Sequence, residues 1–143
     1  MGASTWVTER LKGSAFEEVH HKNAVTAQDL AHREHVNGHQ VAKVVLVFAD
    51  GKPLVLVLPA SHRVVMRRLR EAVGAKDVRL AEEGDLLRLY PDCELGAEPP
   101  LAPDDWVAVW MDVAMRVEGD VVFSGGTHTD AIRMPFAQWF RRV

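Results

Sequence analysis

The sequence predicts an α/β fold: one domain, residues 1–143, in which helices pack outside a mixed, barrel-like β-sheet. Two observations carry this prediction. Apolar runs rich in β-branched residues, 41–48 and 54–58, flank Asp50-Gly51, a pattern typical of a β-hairpin. Helical patterns then alternate with further short strands, and no repeat, low-complexity tract or linker divides the chain.

The first part of the chain is predicted to run helix, extended segment, helix and hairpin. A short helix at about 6–12 leads into an extended segment at 16–21. Thr26 with Asp29 resembles a capping box that opens a second helix to about His35, and Asn37-Gly38 ends it. Because the hairpin strands are apolar on both faces, we expect them to be central and covered on both sides.

An amphipathic helix is predicted from residue 62 to 73, and Gly74 ends it. Its apolar stripe contains Val65, Leu69 and Val73, and its basic face contains Arg63, Arg67 and Arg70. A short strand at 78–80 and a helix at about 82–89 follow. The interleaving of strands and helices supports the α/β class.

The last third begins with an irregular segment rich in proline and glycine, residues 90–105. The strands predicted after it cover 106–111, 120–123 and, as a short extended segment, 131–134. A glycine loop, 124–128, lies between the last two, and Pro135 begins a closing helix.

The composition bounds the class of protein. An apolar fraction of 48% and a charged fraction of 26% are those of a soluble globular protein. No apolar run approaches the roughly 20 residues that span a bilayer, and the N-terminal residues lack a secretory layout, so we expect a cytoplasmic protein with no membrane partner. A net charge of −3 argues against a protein that coats nucleic acid non-specifically, but it allows a local basic patch that binds one RNA end. Arg63, Arg67, Arg68 and Arg70 form either such a patch or a solvated helix face.

Lys43 is the first candidate for chemistry, because it is the only charged residue in the strand 41–48. Burying an unpaired ammonium costs several kcal/mol, so this lysine is paired, neutral or directed into a polar cavity. The alternative is a lysine near the strand end whose stem reaches water.

Two loops are further candidates. The segment Gly96 to Pro100 combines a glycine that allows close approach with prolines that stiffen the backbone, which suits an oxyanion site or an ordinary surface turn. The glycine loop ending in Thr127-His128 offers backbone donors and an imidazole.

Two other signals are discounted, and we expect neither a metal nor an organic cofactor. His32, His35 and His39 have metal-like spacing, but the helix breaks between the second and third. Because Cys93 is the only cysteine, the chain has no internal disulfide, and its carboxylate neighbours Asp92 and Glu94 disfavour a thiolate nucleophile.

Three blocks of this sequence together resemble the YbaK / prolyl-tRNA-synthetase-associated family. They are His35-Val36-Asn37-Gly38-His39-Gln40-Val41-Ala42-Lys43 with the hairpin, Pro91-Asp92-Cys93-Glu94-Leu95-Gly96-Ala97-Glu98-Pro99-Pro100, and Phe123-Ser124-Gly125-Gly126-Thr127-His128 with Ala131-Ile132-Arg133-Met134. In order and spacing they cover about residues 15–143.

The resemblance implies an aminoacyl-tRNA deacylase that hydrolyses the ester of a wrong, small amino acid on tRNA. It implies that Lys43 is needed for activity and that two loops shape the amino-acid pocket, with Pro100, Leu101, Ser124, Gly126 and Thr127 as its residues. As a mechanism we expect Gly96 to supply catalytic N–H groups and His128 or a substrate hydroxyl to activate the water. We also expect Arg63, Arg67 and Arg70 to contact the tRNA. The partners implied are the tRNA 3′ end, its acceptor stem and an aminoacyl-tRNA synthetase.

A second interpretation stays open: a non-catalytic module of the same fold that binds a tRNA end or a nucleotide. Val44 and Leu101-Ala102 replace the threonine and Phe-Gly usual in the family, and Trp106 stands near a common Gly-Leu-Pro-like turn. The departures favour the binding module and put the amino-acid specificity in question. Retention of Lys43, Gly96, Pro100 and Gly126 favours the deacylase.

Overall fold

The computed structural model describes residues 2–21, 30–31, 40–115 and 118–143. The helices, numbered along the chain, are α1 (Thr5–Arg10), α2 (Met66–Val73), α3 (Glu83–Leu89) and α4 (Phe136–Phe140). The strands are β1 (Glu17–His20), β2 (Ala42–Ala49), β3 (Lys52–Pro59), β4 (Val78–Leu80), β5 (Ala108–Met111), β6 (Asp120–Thr127) and β7 (Asp130–Pro135). A 3₁₀ turn, Val113–Met115, follows β5.

The strands of the described residues form two sheets. One has the order β1-β7-β6 and is antiparallel, and the other has the order β4-β2-β3-β5, with β5 parallel to β3. The mixed α/β prediction is confirmed, but the expected barrel-like sheet is corrected to two open sheets. The reason is that, in the part of the chain that the structure describes, the two sheets are joined by the isolated bridge of Val41 to Val122 and not by a continuous ladder.

The β2–β3 hairpin is as predicted. Asp50 has φ 48° and Gly51 has φ 81°, and two successive positive φ angles are those of a turn whose twist matches antiparallel strands. The register runs without interruption from Ala49 opposite Lys52 to Ala42 opposite Pro59.

Both faces of this hairpin are covered, as the apolar runs predict. Leu46, Val55 and Val57 pack in the main core. On the other face Val47, Leu54, Leu56 and Leu58 pack with apolar side chains of α2. Full burial of one such side chain contributes about 1.5–3 kcal/mol. The strand that carries Lys43 is therefore held rigidly from both sides.

Helix α2 begins at Met66 and not at residue 62. Val64 and Val65 are β-branched, and Val65 is extended, with φ −98° and ψ 103°. Leu69 and Val73 pack on the sheet as predicted, whereas Val65 is 49% exposed. The helix predicted from Thr26 lies outside the described residues except for Leu30 and Ala31, which are helical and buried.

The predicted glycine loop at 124–128 is wrong: residues 124–127 belong to β6, with a bulge between Ser124 and Thr127. The glycines serve close approach of the N-terminal segment. A Cβ on Gly125 would lie 2.9 Å from the Ala3 Cβ, and one on Gly126 would overlap Ser4.

Candidate active site

A small cavity of about 160 Å³ brings the three sequence blocks together. Its lining residues come from β2, the loop after α3 and β6, and they are Ala42, Lys43, Val44, Gly96, Glu98 and Ser124. The predicted residues Lys43, Gly96 and Ser124 thus meet at one place.

Lys43 is the cationic residue among those that line this cavity. The side chain is half-buried, and within the described part of the chain no carboxylate pairs with it. Burial lowers the pKa of Lys43 below its ordinary value, and the nearby charge of Arg63 lowers it further. A cation held in this way is available to an anionic or carbonyl oxygen of a ligand.

Glu98 is a site residue that the sequence reasoning did not select. Its carboxylate accepts the Gly96 N–H at 3.1 and 3.2 Å. Burial raises the pKa of Glu98, while hydrogen bonds from the backbone N–H groups of Glu98 and Gly96 and the nearby His128 oppose that rise. The only sequence signal was a carboxylate flanked by the apolar residues Ala97 and Pro99.

Gly96 adopts φ 88°, a backbone conformation that residues with a side chain rarely adopt. Its N–H, which the sequence prediction assigns to the substrate, already donates to Glu98. The N–H of Gly96 can reach a substrate oxygen only if the Glu98 carboxylate moves away.

His128 lies beside the cavity and does not line it. Its Nε2 lies 2.7 Å from the Leu95 carbonyl oxygen; because a carbonyl only accepts, Nε2 carries the proton and donates. The His128 backbone N–H donates to Glu94 at 2.6 Å. In this arrangement Nε2 is a hydrogen-bond donor and not a base.

Pro100 is buried, Leu101 lies in the main core, and neither residue lines the cavity. The Pro100 carbonyl accepts the indole N–H of Trp139 at 3.0 Å, and the Leu101 carbonyl accepts the Tyr90 hydroxyl at 3.0 Å. These bonds fix the far end of the loop that carries Gly96 and Glu98.

Gly126 and Thr127 also lie beside the cavity. The Gly126 N–H donates to the Ala97 carbonyl at 3.0 Å, and the Gly126 carbonyl accepts the Glu94 N–H at 2.8 Å. Two backbone hydrogen bonds therefore join β6 to the loop that carries Gly96 and Glu98. The Thr127 hydroxyl donates to the buried carboxylate of Asp130 at 2.6 Å. Both residues position the site in this structure.

The remaining candidates are the arginines predicted to bind tRNA and the histidines considered as metal ligands. Arg63, Arg67 and Arg70 are exposed on α2 and the turn before it, and no ion pair joins them to another described residue. The discounted metal candidates His32, His35 and His39 lie outside the described residues.

Cys93 is buried, and burial, followed by the charges of Glu98 and Asp92, raises its pKa to about 12. The thiol is therefore protonated near neutral pH, in agreement with the expectation that it is no thiolate nucleophile. None of the helices in the described residues has the length and hydropathy to cross a membrane.

The fold and the sequence both have relatives. A hypothetical protein, APE2540, superimposes with a TM-score of 0.81 at 19% identity, covering 96% of this chain and 91% of that one. A candidate trans-editing enzyme for prolyl-tRNA synthetase superimposes with a TM-score of 0.82 at 16% identity, covering 96% and 87%. At such identities the likeness shows the fold. The model of the aminoacyl-tRNA editing domain matches residues 21–141, and this protein therefore belongs to the aminoacyl-tRNA editing domain family.

Proposed function

We propose that this protein is a trans-editing deacylase, which hydrolyses the ester between a small, wrongly attached amino acid and the terminal ribose of a tRNA. The observation that carries the proposal is that two charged residues line one small cavity: Lys43, which has no carboxylate partner among the described residues, and Glu98. The family membership supports the substrate class, and a volume of about 160 Å³ supports a small amino acid.

The two charged groups suit the two ends of an aminoacyl ester. Glu98, when ionised, accepts hydrogen bonds from the α-ammonium group of the substrate, and this interaction moves its carboxylate away from the Gly96 N–H. Lys43 polarises the ester carbonyl or holds the terminal phosphate or ribose. The N–H of Gly96, once released, donates to the oxyanion that forms on the carbonyl oxygen.

Hydrolysis then needs little further chemistry, because an aminoacyl ester is already activated and orientation lowers the barrier. Water adds to the carbonyl carbon, the ester C–O bond breaks, and the ribose oxygen leaves with a proton. Since His128 does not line the cavity, we assign the orientation of the water to the free vicinal hydroxyl of the ribose. We further propose that the activity belongs to the cytoplasm, beside an aminoacyl-tRNA synthetase. Arg67 and Arg70 then face the acceptor stem, and Arg63, which is near Lys43, faces the terminal nucleotides.

The proposal is tested by single-turnover deacylation of tRNAs mischarged with alanine, cysteine or serine. We expect Lys43→Ala to lower the rate at least about tenfold, a loss of some 1.4 kcal/mol of transition-state stabilisation. Lys52→Ala is the matched control, because Lys52 is exposed at the opposite end of the same hairpin. Equal rates for Lys43→Ala and wild type would refute the role of Lys43.

The second candidate function is a non-catalytic module that binds the tRNA end. The observation that favours it is the hydrogen bond from the Gly96 N–H to Glu98, which occupies the predicted oxyanion donor. A folded wild-type protein that binds tRNA and releases no amino acid from any member of the panel would establish this function in place of the first.

A further inference from the structure

A second, larger cavity lies outside the small one and is a groove of about 600 Å³. Its floor is β3, one side is α2 with the turn before it, and the other side is β5 with the 3₁₀ turn that follows. Leu56 and Leu58 are buried in the floor, whereas Trp110 is 43% exposed and Val113 is 80% exposed at the side. The eight residues of α2 cover only part of this sheet face, which leaves the β5 side open.

Cations line the same groove. Arg63 and Arg68 both border it, and no carboxylate of the described residues pairs with either. The acidic group of the groove, Asp112, lies 3.6 Å from His62 Nδ1. An apolar peptide would cover the floor and leave the guanidinium groups unmatched. A nucleotide matches both, since its base stacks on an aromatic ring and its phosphate binds arginine.

The groove adjoins the small cavity. Leu58 in its floor is the register partner of Lys43, and Arg63 at its border is close enough to lower the pKa of Lys43. Strand β3 thus borders the groove and its neighbour β2 borders the small cavity, so that a ligand extended across the two strands would reach both.

We propose that this groove binds the unpaired nucleotides at the 3′ end of the tRNA, with a base stacked on Trp110 and phosphates held by Arg63 and Arg68. The inference rests on the proposed function for the identity of the RNA. It adds a binding surface made by Trp110 and Arg68, which are distinct from the residues of the small cavity.

Binding of an unacylated single-stranded RNA of four nucleotides, with the tRNA 3′-terminal sequence, tests the groove directly. We expect Trp110→Ala and Arg68→Ala each to weaken binding at least fivefold, and Arg68→Ala also to reduce its salt dependence. Trp106→Ala and Lys76→Ala are the controls, because both residues are exposed and neither borders the groove. If Trp110→Ala does not fold, Arg68→Ala decides alone, since its side chain is exposed.

A second substrate separates this inference from the proposed function. The alanyl ester of 1-O-methylribose keeps the vicinal hydroxyl and lacks both base and phosphate. We expect Trp110→Ala to hydrolyse it at the wild-type rate while its KM for aminoacyl-tRNA rises.

The outcomes are distinct. If nothing is hydrolysed but RNA binding depends on Trp110 and Arg68, the groove stands and the deacylase fails. If aminoacyl-tRNA is hydrolysed but both variants bind the RNA as wild type does, the groove proposal is overturned. It is overturned equally if sedimentation shows that Trp110→Ala only dissociates a dimer, because the groove is then a contact between two copies of the chain.

Discussion

Strands β2 and β6 both form the small cavity, and they do so in opposite ways. β2 provides a charged side chain, Lys43, on a strand whose two faces are covered by apolar residues. β6 provides mainly backbone: Gly125 and Gly126 let the N-terminal segment approach, and Gly126 hydrogen-bonds the loop that carries Glu98.

The difference shows that β2 contributes a chemical group to the site, whereas β6 contributes the close backbone packing that holds the site together. A substitution on β2 at Lys43 removes chemistry and leaves the frame intact. A substitution on β6 at a glycine changes the frame, because the added atoms have no room. The comparison can therefore be broken by measuring stability and activity separately for each strand.

The largest effect on stability is expected from Gly126→Ala. A Cβ at this position would overlap Ser4, and the residue has φ 96°. Backbone strain of about 1–3 kcal/mol and an overlap of similar cost together predict a loss of about 3 kcal/mol in the free energy of unfolding, measured by urea denaturation.

Gly119→Ala is the matched control for Gly126→Ala. Gly119 has φ 86°, and an added Cβ would find nothing within 4 Å. It therefore reports the strain alone, and we expect a loss of about 1 kcal/mol. Equal losses at the two positions would show that the contact with Ser4 contributes nothing.

The same contrast explains which parts of the site were predictable. A lysine alone in an apolar run is visible in the sequence, because an unpaired buried charge needs a reason. The hairpin was equally visible, since Asp50-Gly51 permits the two positive φ angles that its turn requires.

The rest depended on contacts between distant segments. Gly125-Gly126 looks like a loop until Ala3 and Ser4 are placed against it. Glu98, in a loop of prolines, has the sequence signature of a surface carboxylate, and only the approach of β2 and β6 buries it. Leu101, predicted in the pocket, instead packs in the core, with its carbonyl bonded to Tyr90.

A smaller effect is expected from Thr127→Val, which tests the end of β6. The Thr127 hydroxyl donates at 2.6 Å to the carboxylate of Asp130, which is 3% exposed. Losing a hydrogen bond to a buried carboxylate costs about 1.5–3 kcal/mol. Thr129→Val is the control, because its hydroxyl is 3.3 Å from the same oxygen and we expect at most half the loss.

The pH dependence gives this prediction its sign. Burial raises the pKa of Asp130, but hydrogen bonds from Thr127 and His20 outweigh burial and hold the pKa below its ordinary value. Because the pKa of Asp130 is lower in the folded than in the unfolded protein, the ionised carboxylate stabilises the fold at any pH above the unfolded-state pKa. This stabilisation is lost as the pH falls through the folded-state pKa. Thr127→Val should therefore move acid unfolding to higher pH, and an unchanged acid midpoint would exclude the bond from this balance.

The smallest effect on stability, and the one that best separates the two strands, is expected from Glu98→Gln on the loop joined to β6. Burial raises the pKa of Glu98, so the folded state favours the protonated carboxyl group. The stability that this protonation contributes is lost as the pH rises through the folded-state pKa of Glu98. We expect the variant to be slightly more stable than wild type at pH 7, by less than about 1 kcal/mol, with the difference vanishing below about pH 4.

Deacylation by Glu98→Gln should nevertheless fall about tenfold, because the α-ammonium group of the substrate loses a charged acceptor worth about 1.5–3 kcal/mol. A variant that is more stable and fully active would show that Glu98 does not bind the α-ammonium group, and that of the two charged residues lining the cavity the reaction uses Lys43 alone.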